Sequence, residues 1–160
     1  MAINGTVTQG CPSAGAASAR TRFAHQFVAG DHATRRVLAD LVAGLAGAGL
    51  DGEDLSTVEL ILAEALNNVA EHAYRDEPGP VELCVELRPT SLACRIADRG
   101  RPMPTGAAPN PPPPVIEPPD TLPEGGFGWH IIRCLTRDLN YRRAGGWNTL
   151  TMTVPLAGGR

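Results

Sequence analysis

Lysine is absent from this 160-residue chain, and all fourteen of its cationic side chains are arginine. Without lysine there is no Walker-A lysine, no ATP lysine of the protein-kinase type and no Schiff-base chemistry. Any phosphate must then be held by Arg, backbone N–H groups, helix N-termini or a metal. Aromatic residues make up only 4% of the chain, so the core must rest on Leu, Val, Ile and Ala. Positive charge is also short: the net charge is -3, which offers no basic field for a nucleic-acid backbone. The cysteines at 11, 84, 94 and 134 form no CxxC pair, and the four histidines make no ligand cluster, so a structural zinc is not expected. No apolar run approaches the roughly 18 residues of a membrane span, and no basic start followed by an apolar stretch reads as a signal peptide. The expectation is a cytoplasmic protein with reduced thiols, bound neither to membrane nor directly to nucleic acid.

What is present is one domain's worth of patterned chain. Residues 1–19 lack apolar periodicity and read as a disordered tail, and 157–160 as a short second one. Alternation predicts a strand over Arg20–Val28. Helical periodicity predicts one helix from Asp31 to about Ala48 and a second from about Asp54 to Tyr74. Strands are expected over Val81–Leu87 and Leu92–Ala97. Ten of the fifteen prolines then fall between Pro102 and Pro123, where a missing donor and a fixed φ forbid helix or central strand. A short helix over Trp129–Arg137 and strands over Asp138–Arg143 and Trp147–Pro155 complete the chain. Hairpin-joined strands with neighbouring helices imply an α+β two-layer sandwich, its sheet mixed but mostly antiparallel, with the helices on one face.

Three constellations could carry chemistry. On the second helix, Glu64, Asn68 and His72 are spaced four apart and stack along one edge of the apolar stripe. A carboxamide oxygen suits a hard cation, and a carboxylate suits a base or a second metal contact. At a strand end, Asp98-Arg99-Gly100 offers an acceptor for a purine amine, with a glycine leaving room for a flat ring. Before the last helix, Gly125-Gly126-Phe127-Gly128 lets backbone N–H groups converge on an anion at the positive helix end. Each pattern alone also fits ordinary structure: a solvated helix face, an Asp-x-Gly turn, a glycine hinge.

Their order narrows the choice. Glu64-Ala65-Leu66-Asn67-Asn68-Val69-Ala70-Glu71-His72-Ala73-Tyr74, then Asp98-Arg99-Gly100-Arg101-Pro102, then Gly125-Gly126-Phe127-Gly128 opening a helix, resembles the Bergerat ATP-binding fold. Within it, the chain is most similar to the anti-sigma-factor serine/threonine kinases, with the resemblance covering about Arg20 to Leu156. The resemblance implies a histidine-kinase-like ATP-binding domain over 20–156, with an ATP lid at 101–124. It makes Asn68 the Mg2+ ligand beside the ATP phosphates and Glu64 the general base toward a Ser or Thr hydroxyl. It makes Asp98 the partner of the adenine amine, with Gly100 beside the ring. Gly126 and Gly128 would meet the phosphates, Phe127, Trp129 and His130 would complete the nucleotide site, and Thr151 would face the adenine. The implied protein partner is an anti-sigma-factor antagonist, with a sigma factor as a second client and a homodimer as the working state. A partner-sequestering module without kinase activity is the alternative, motivated by the stiff proline-rich loop.

Overall fold

A computed structural model describes residues 21–112 and 127–158. The element order is β1 (Arg22–Val28), α1 (Asp31–Gly47), α2 (Gly52–Asn68), a π-helical turn (Val69–Ala73), β2 (Pro80–Leu87), β3 (Ser91–Asp98), α3 (Phe127–Leu135), β4 (Arg137–Ala144) and β5 (Trp147–Pro155). The strands form one sheet in the order β1-β2-β3-β5-β4. Every pairing among the described residues is antiparallel, where a mixed sheet was expected. The two-layer α+β architecture stands as expected.

Local chemistry explains where the boundaries fall. The second helix starts at Gly52 because Asp51, and not Asp54, caps it: the Asp51 side chain accepts the Asp54 N–H at 2.9 Å. Asp54 is thereby freed to accept the Ala157 and Gly158 N–H groups (2.8 and 3.3 Å), fastening the end of the described chain to the start of α2. The same helix was expected to stay regular to Tyr74. Instead its ladder widens after Asn68, and the Tyr74 N–H reaches the Val69 carbonyl five residues back at 3.1 Å. Such bulges reorient side chains over a single turn and concentrate at functional sites. α3 stops at Leu135, where the Thr136 hydroxyl bonds the Ile132 carbonyl and Arg137 enters β4.

The core lies between the helices and the inner face of the sheet. Leu41, Leu45, Val58, Ile61 and Leu62 interdigitate with Leu83, Val85, Leu92, Ile96 and Val154, all fully buried. Each such side chain contributes roughly 1.5–3 kcal/mol of transfer free energy. Strand alternation assigns the inner row of β3 to Leu92, Cys94, Ile96 and Asp98, and that of β5 to Val154, Met152, Leu150 and Asn148. Both rows are apolar until their last member. There Asp98 and Asn148 pair directly across the ladder, buried at 6% and 3% exposure. Two polar side chains ending two apolar rows mark one end of the sandwich as different.

Candidate functional site

At that end a cleft of about 500 Å³ opens between α2 with its π-helical turn, the inner ends of β3 and β5, the loop after β3, and α3. Asn68 and His72 line it from the helix side, Asp98 and Asn148 from the sheet, and Trp129 from α3, with Ile96 and Leu150 forming an apolar wall. The volume lies within the usual range for a small-molecule site, and an apolar wall with a few convergent polar groups is its usual lining.

The sheet side is a hydrogen-bonded network. Asp98 Oδ1 accepts from Asn148 Nδ2 (2.7 Å) and from the Gly100 N–H (2.8 Å). Each of these bonds goes to Oδ1, so among the described residues Oδ2 has no donor. Burial pushes the Asp98 carboxyl above its ordinary range, while the Asn148 and Gly100 donors and the Arg143 guanidinium oppose that shift. Asn148 Oδ1 in turn accepts from the Tyr141 hydroxyl (2.7 Å) and Arg143 Nη1 (2.6 Å). The Tyr141 oxygen also accepts the Met103 N–H at 3.1 Å, tying the loop after β3 into the network.

The helix side is under-satisfied. Asn68 Nδ2 is buried with no hydrogen-bond partner among the described residues, a costly state unless a ligand completes it. Glu64, one turn earlier, meets the start of α3. A Cβ built on Gly128 would lie 2.5 Å from Glu64 Oε2 and 3.8 Å from Asn68 Nδ2. Glycine thus lets α3 approach while the Glu64 carboxylate keeps its place, since a Cβ there would push that side chain aside.

The expected residues divide accordingly. Asn68, Asp98 and Trp129 line the cleft, and Gly128 and Glu64 meet at its border. Three placements differ from expectation. Thr151 projects from the opposite face of the sheet, because alternation along β5 turns Asn148 and Leu150 inward and Thr151 outward. Gly100 does not line the cleft: the space its Cβ would take is filled by the Ala73 backbone carbonyl, and the adjacent Arg101 N–H bonds that same oxygen at 2.9 Å. The glycine serves the close approach of the loop to the π-helical turn. His130 points along its own helix, with Nε2 3.4 Å from Cys134 Sγ, and with Phe127 it stays outside the cleft lining. Gly126 lies outside the described residues, as do 113–124 of the expected lid. The lid's first part, 101–112, is docked: Arg133 donates to the carbonyls of Ala108 and Pro109 (2.7 and 2.5 Å), and Arg101 pairs with Asp76.

Sequence reasoning missed Asn148, Tyr141 and Arg143 as members of the site. A signal existed: Asn148 continues the inward period of Leu150, Met152 and Val154, which makes it a polar side chain in a core position. Such a residue needs a buried partner.

With this geometry in hand, the class is settled by similarity. Residues 27–154 match the histidine kinase-like ATPase domain, and the chain belongs to that family. It is similar to the serine/threonine-protein kinase BtrW of Bordetella bronchiseptica, 34% identical over 99 residues, covering 61% of this chain and 68% of BtrW. The serine-protein kinase RsbW of Bacillus thuringiensis is 26% identical over 104 residues, covering 64% of this chain and 65% of that protein. Among solved structures, the RsbU and RsbW domains of Rv1364c from Mycobacterium tuberculosis superimpose with a TM-score of 0.59 at 20% identity. That match covers 85% of this chain and 32% of the other, and it shows the shared fold. No helix among the described residues is long and apolar enough to cross a membrane.

Proposed function

We propose that this chain is an anti-sigma regulatory protein that binds Mg-ATP and phosphorylates a serine or threonine of an anti-sigma-factor antagonist, acting by partner switching. The observation that carries the reading is a single cleft with a buried carboxylate at one end and, at the other, the unsatisfied Asn68 Nδ2 donor, flanked by Glu64. The purine lies against Ile96 and Leu150, its exocyclic amine donating to Asp98 Oδ2. The phosphates lie toward Asn68 and the start of α3, where backbone N–H groups and the helix dipole favour anions.

The donor set fits a hard cation. Among the described residues Asn68 Nδ2 is buried without an acceptor, which a phosphate oxygen would supply, and the oxygen of the same amide, beside the Glu64 carboxylate, is suitable chemistry for Mg2+. Asn68 would hold the ion, which supplies charge neutralisation at the phosphates when bound. Glu64 accepts the proton of the attacking hydroxyl as the oxygen bonds to the γ-phosphorus and the bond to the ADP oxygen breaks. The absence of lysine is consistent with this division of labour. Phosphorylation adds close to two negative charges to the antagonist, breaking its complex and freeing the kinase for a sigma factor. The working state is a homodimer.

The test is transfer of labelled γ-phosphate from ATP to the cognate antagonist. Wild-type protein transfers it, and Glu64→Gln binds ATP with nearly unchanged affinity and transfers none. Wild-type protein that binds ATP and transfers nothing would leave a sequestering module in place of a kinase.

A further inference from the structure

The polar pair at the end of β3 and β5 carries more than a single acceptor for an amine. Asn148 is surrounded in a way that leaves its amide only one orientation. The groups around Nδ2 are all acceptors: Asp98 Oδ1 at 2.7 Å, the Arg101 carbonyl at 3.0 Å and the Gly100 carbonyl at 3.3 Å. The groups around Oδ1 are donors, Arg143 Nη1 at 2.6 Å and the Tyr141 hydroxyl at 2.7 Å. A guanidinium has no acceptor atom, so the amide cannot be turned over without setting donor against donor. Nδ2 therefore always offers a proton to Asp98.

We propose that Asn148 is a positioning residue for base specificity: held by Tyr141 and Arg143, it keeps Asp98 an acceptor only, so the cleft selects a 6-amino purine over a 6-oxo purine. The proposal rests on the reading of the cleft as a nucleotide site. Oδ1 receives two donors, from Asn148 and from the Gly100 N–H, which disfavours a proton there. Oδ2 remains to meet the base. As an acceptor it complements an exocyclic amine and repels a carbonyl oxygen. A protonated Asp98 would do the reverse.

The same network reaches the loop after β3. Tyr141 receives the Met103 N–H, and Arg143 Nη1 also donates to the Gly100 carbonyl at 3.1 Å. The side chain that orients Asp98 thus also seats the first turn of the docked loop over the base end of the cleft. The other charged and titratable groups around Asp98 are Tyr74 and Arg75 just after the π-helical turn, Arg99 and Arg101 on the loop, and His72 across the cleft. Tyr74 accepts the Arg99 N–H at 2.7 Å and donates to the Pro80 carbonyl. None of these donates to the Asp98 carboxylate.

The experiment is calorimetric titration of the full chain with ATP and, separately, with inosine triphosphate, from pH 5 to 8 in magnesium buffer. Wild-type protein prefers ATP by about a hundredfold at neutral pH, the usual discrimination when a mismatch leaves buried acceptors facing each other. Asn148→Leu removes the donor, so Asp98 takes a proton more readily. The pH below which ATP binding fails moves upward, and the ATP preference falls about tenfold. Tyr141→Phe keeps the packed ring and frees the amide to rock, giving a change in the same direction of about threefold. It carries the test if Asn148→Leu does not fold. A purely structural Asn148 would weaken both nucleotides alike and leave the ratio and the pH limb unmoved, and that outcome overturns the proposal. Wild-type protein binding neither nucleotide overturns the nucleotide site itself and the proposal with it.

Discussion

Two glycines sit at close approaches of different kinds, and replacing each by alanine separates site from scaffold. At Gly128 a new Cβ would meet the far end of the Glu64 side chain, 2.5 Å from Oε2. That carboxylate can swing away at a cost of about 0.5–1.5 kcal/mol for leaving its rotamer. Alanine also favours the helix over glycine by up to about 1 kcal/mol. The two effects nearly cancel, so Gly128→Ala should melt within about 3 °C of the wild type. The displaced Glu64 is the proposed general base, whose positioned form is worth roughly 10²–10⁴ in rate. Phosphate transfer should therefore fall at least about tenfold. At Gly100 the new Cβ would meet the Ala73 carbonyl, which belongs to the backbone of the π-helical turn and cannot swing aside. Overpacking of this kind costs about 1–3 kcal/mol, so Gly100→Ala should lower the melting temperature by about 3–10 °C. Thermal unfolding of both variants, with single-turnover transfer for Gly128→Ala, decides the matter. A Gly128→Ala protein that is as unstable as Gly100→Ala, or that transfers phosphate at the wild-type rate, would refute the close packing of α3 on Glu64.

Asp98→Asn should lose ATP affinity about a hundredfold, measured by titration calorimetry, since the acceptor facing the amine becomes half donor. In the absence of nucleotide the same variant should be no less stable than wild type at pH 7. Burial raises the Asp98 pKa in the folded state, so its stabilising contribution is greatest below the ordinary carboxylate range and is lost as pH rises through the folded value; denaturant melts at pH 4 and pH 7 check this. Alkylation of native protein at pH 8, read by mass spectrometry, should label the exposed Cys134 and spare Cys94, whose thiol burial pushes up to about 12. Asp54→Ala should cost about 2–4 kcal/mol in a urea melt, because it releases the Ala157 and Gly158 N–H groups together.

The layers of this fold were legible because helical and alternating periods are local properties of the chain. Val58, Ile61, Leu62, Ala65 and Leu66 declare α2, and Leu92, Cys94 and Ile96 declare β3. The break after Asn68 was not legible, because a widened turn preserves composition and shows only in which carbonyl the Tyr74 N–H reaches. Asn68 and Asp98 stood out as polar residues beside apolar stripes, and both line the cleft. Thr151 was misplaced since a residue's face depends on strand register, and the inward row of β5 begins at Asn148. Tyr141 and Arg143 could not be found from sequence: their roles arise from pairing between β4 and β5, which brings both to the Asn148 amide. At Gly100 the sequence pattern points to a ligand ring, and the neighbour that a side chain there would meet is the Ala73 backbone, which only folding brings near.

We propose that one nucleotide spans this cleft, with its base at the sheet and its phosphates at the helix. That arrangement is tested most directly by nuclear magnetic resonance of the labelled chain with ATP, first in magnesium and then with a trace of paramagnetic manganese. The adenine protons should show cross-peaks to the side chains of Ile96 and Leu150, and manganese should broaden the Asn68 side-chain amide and the Gly128 backbone amide first. Adenine contacts elsewhere on the surface, or broadening that spares Asn68 while ATP is bound, would contradict the account.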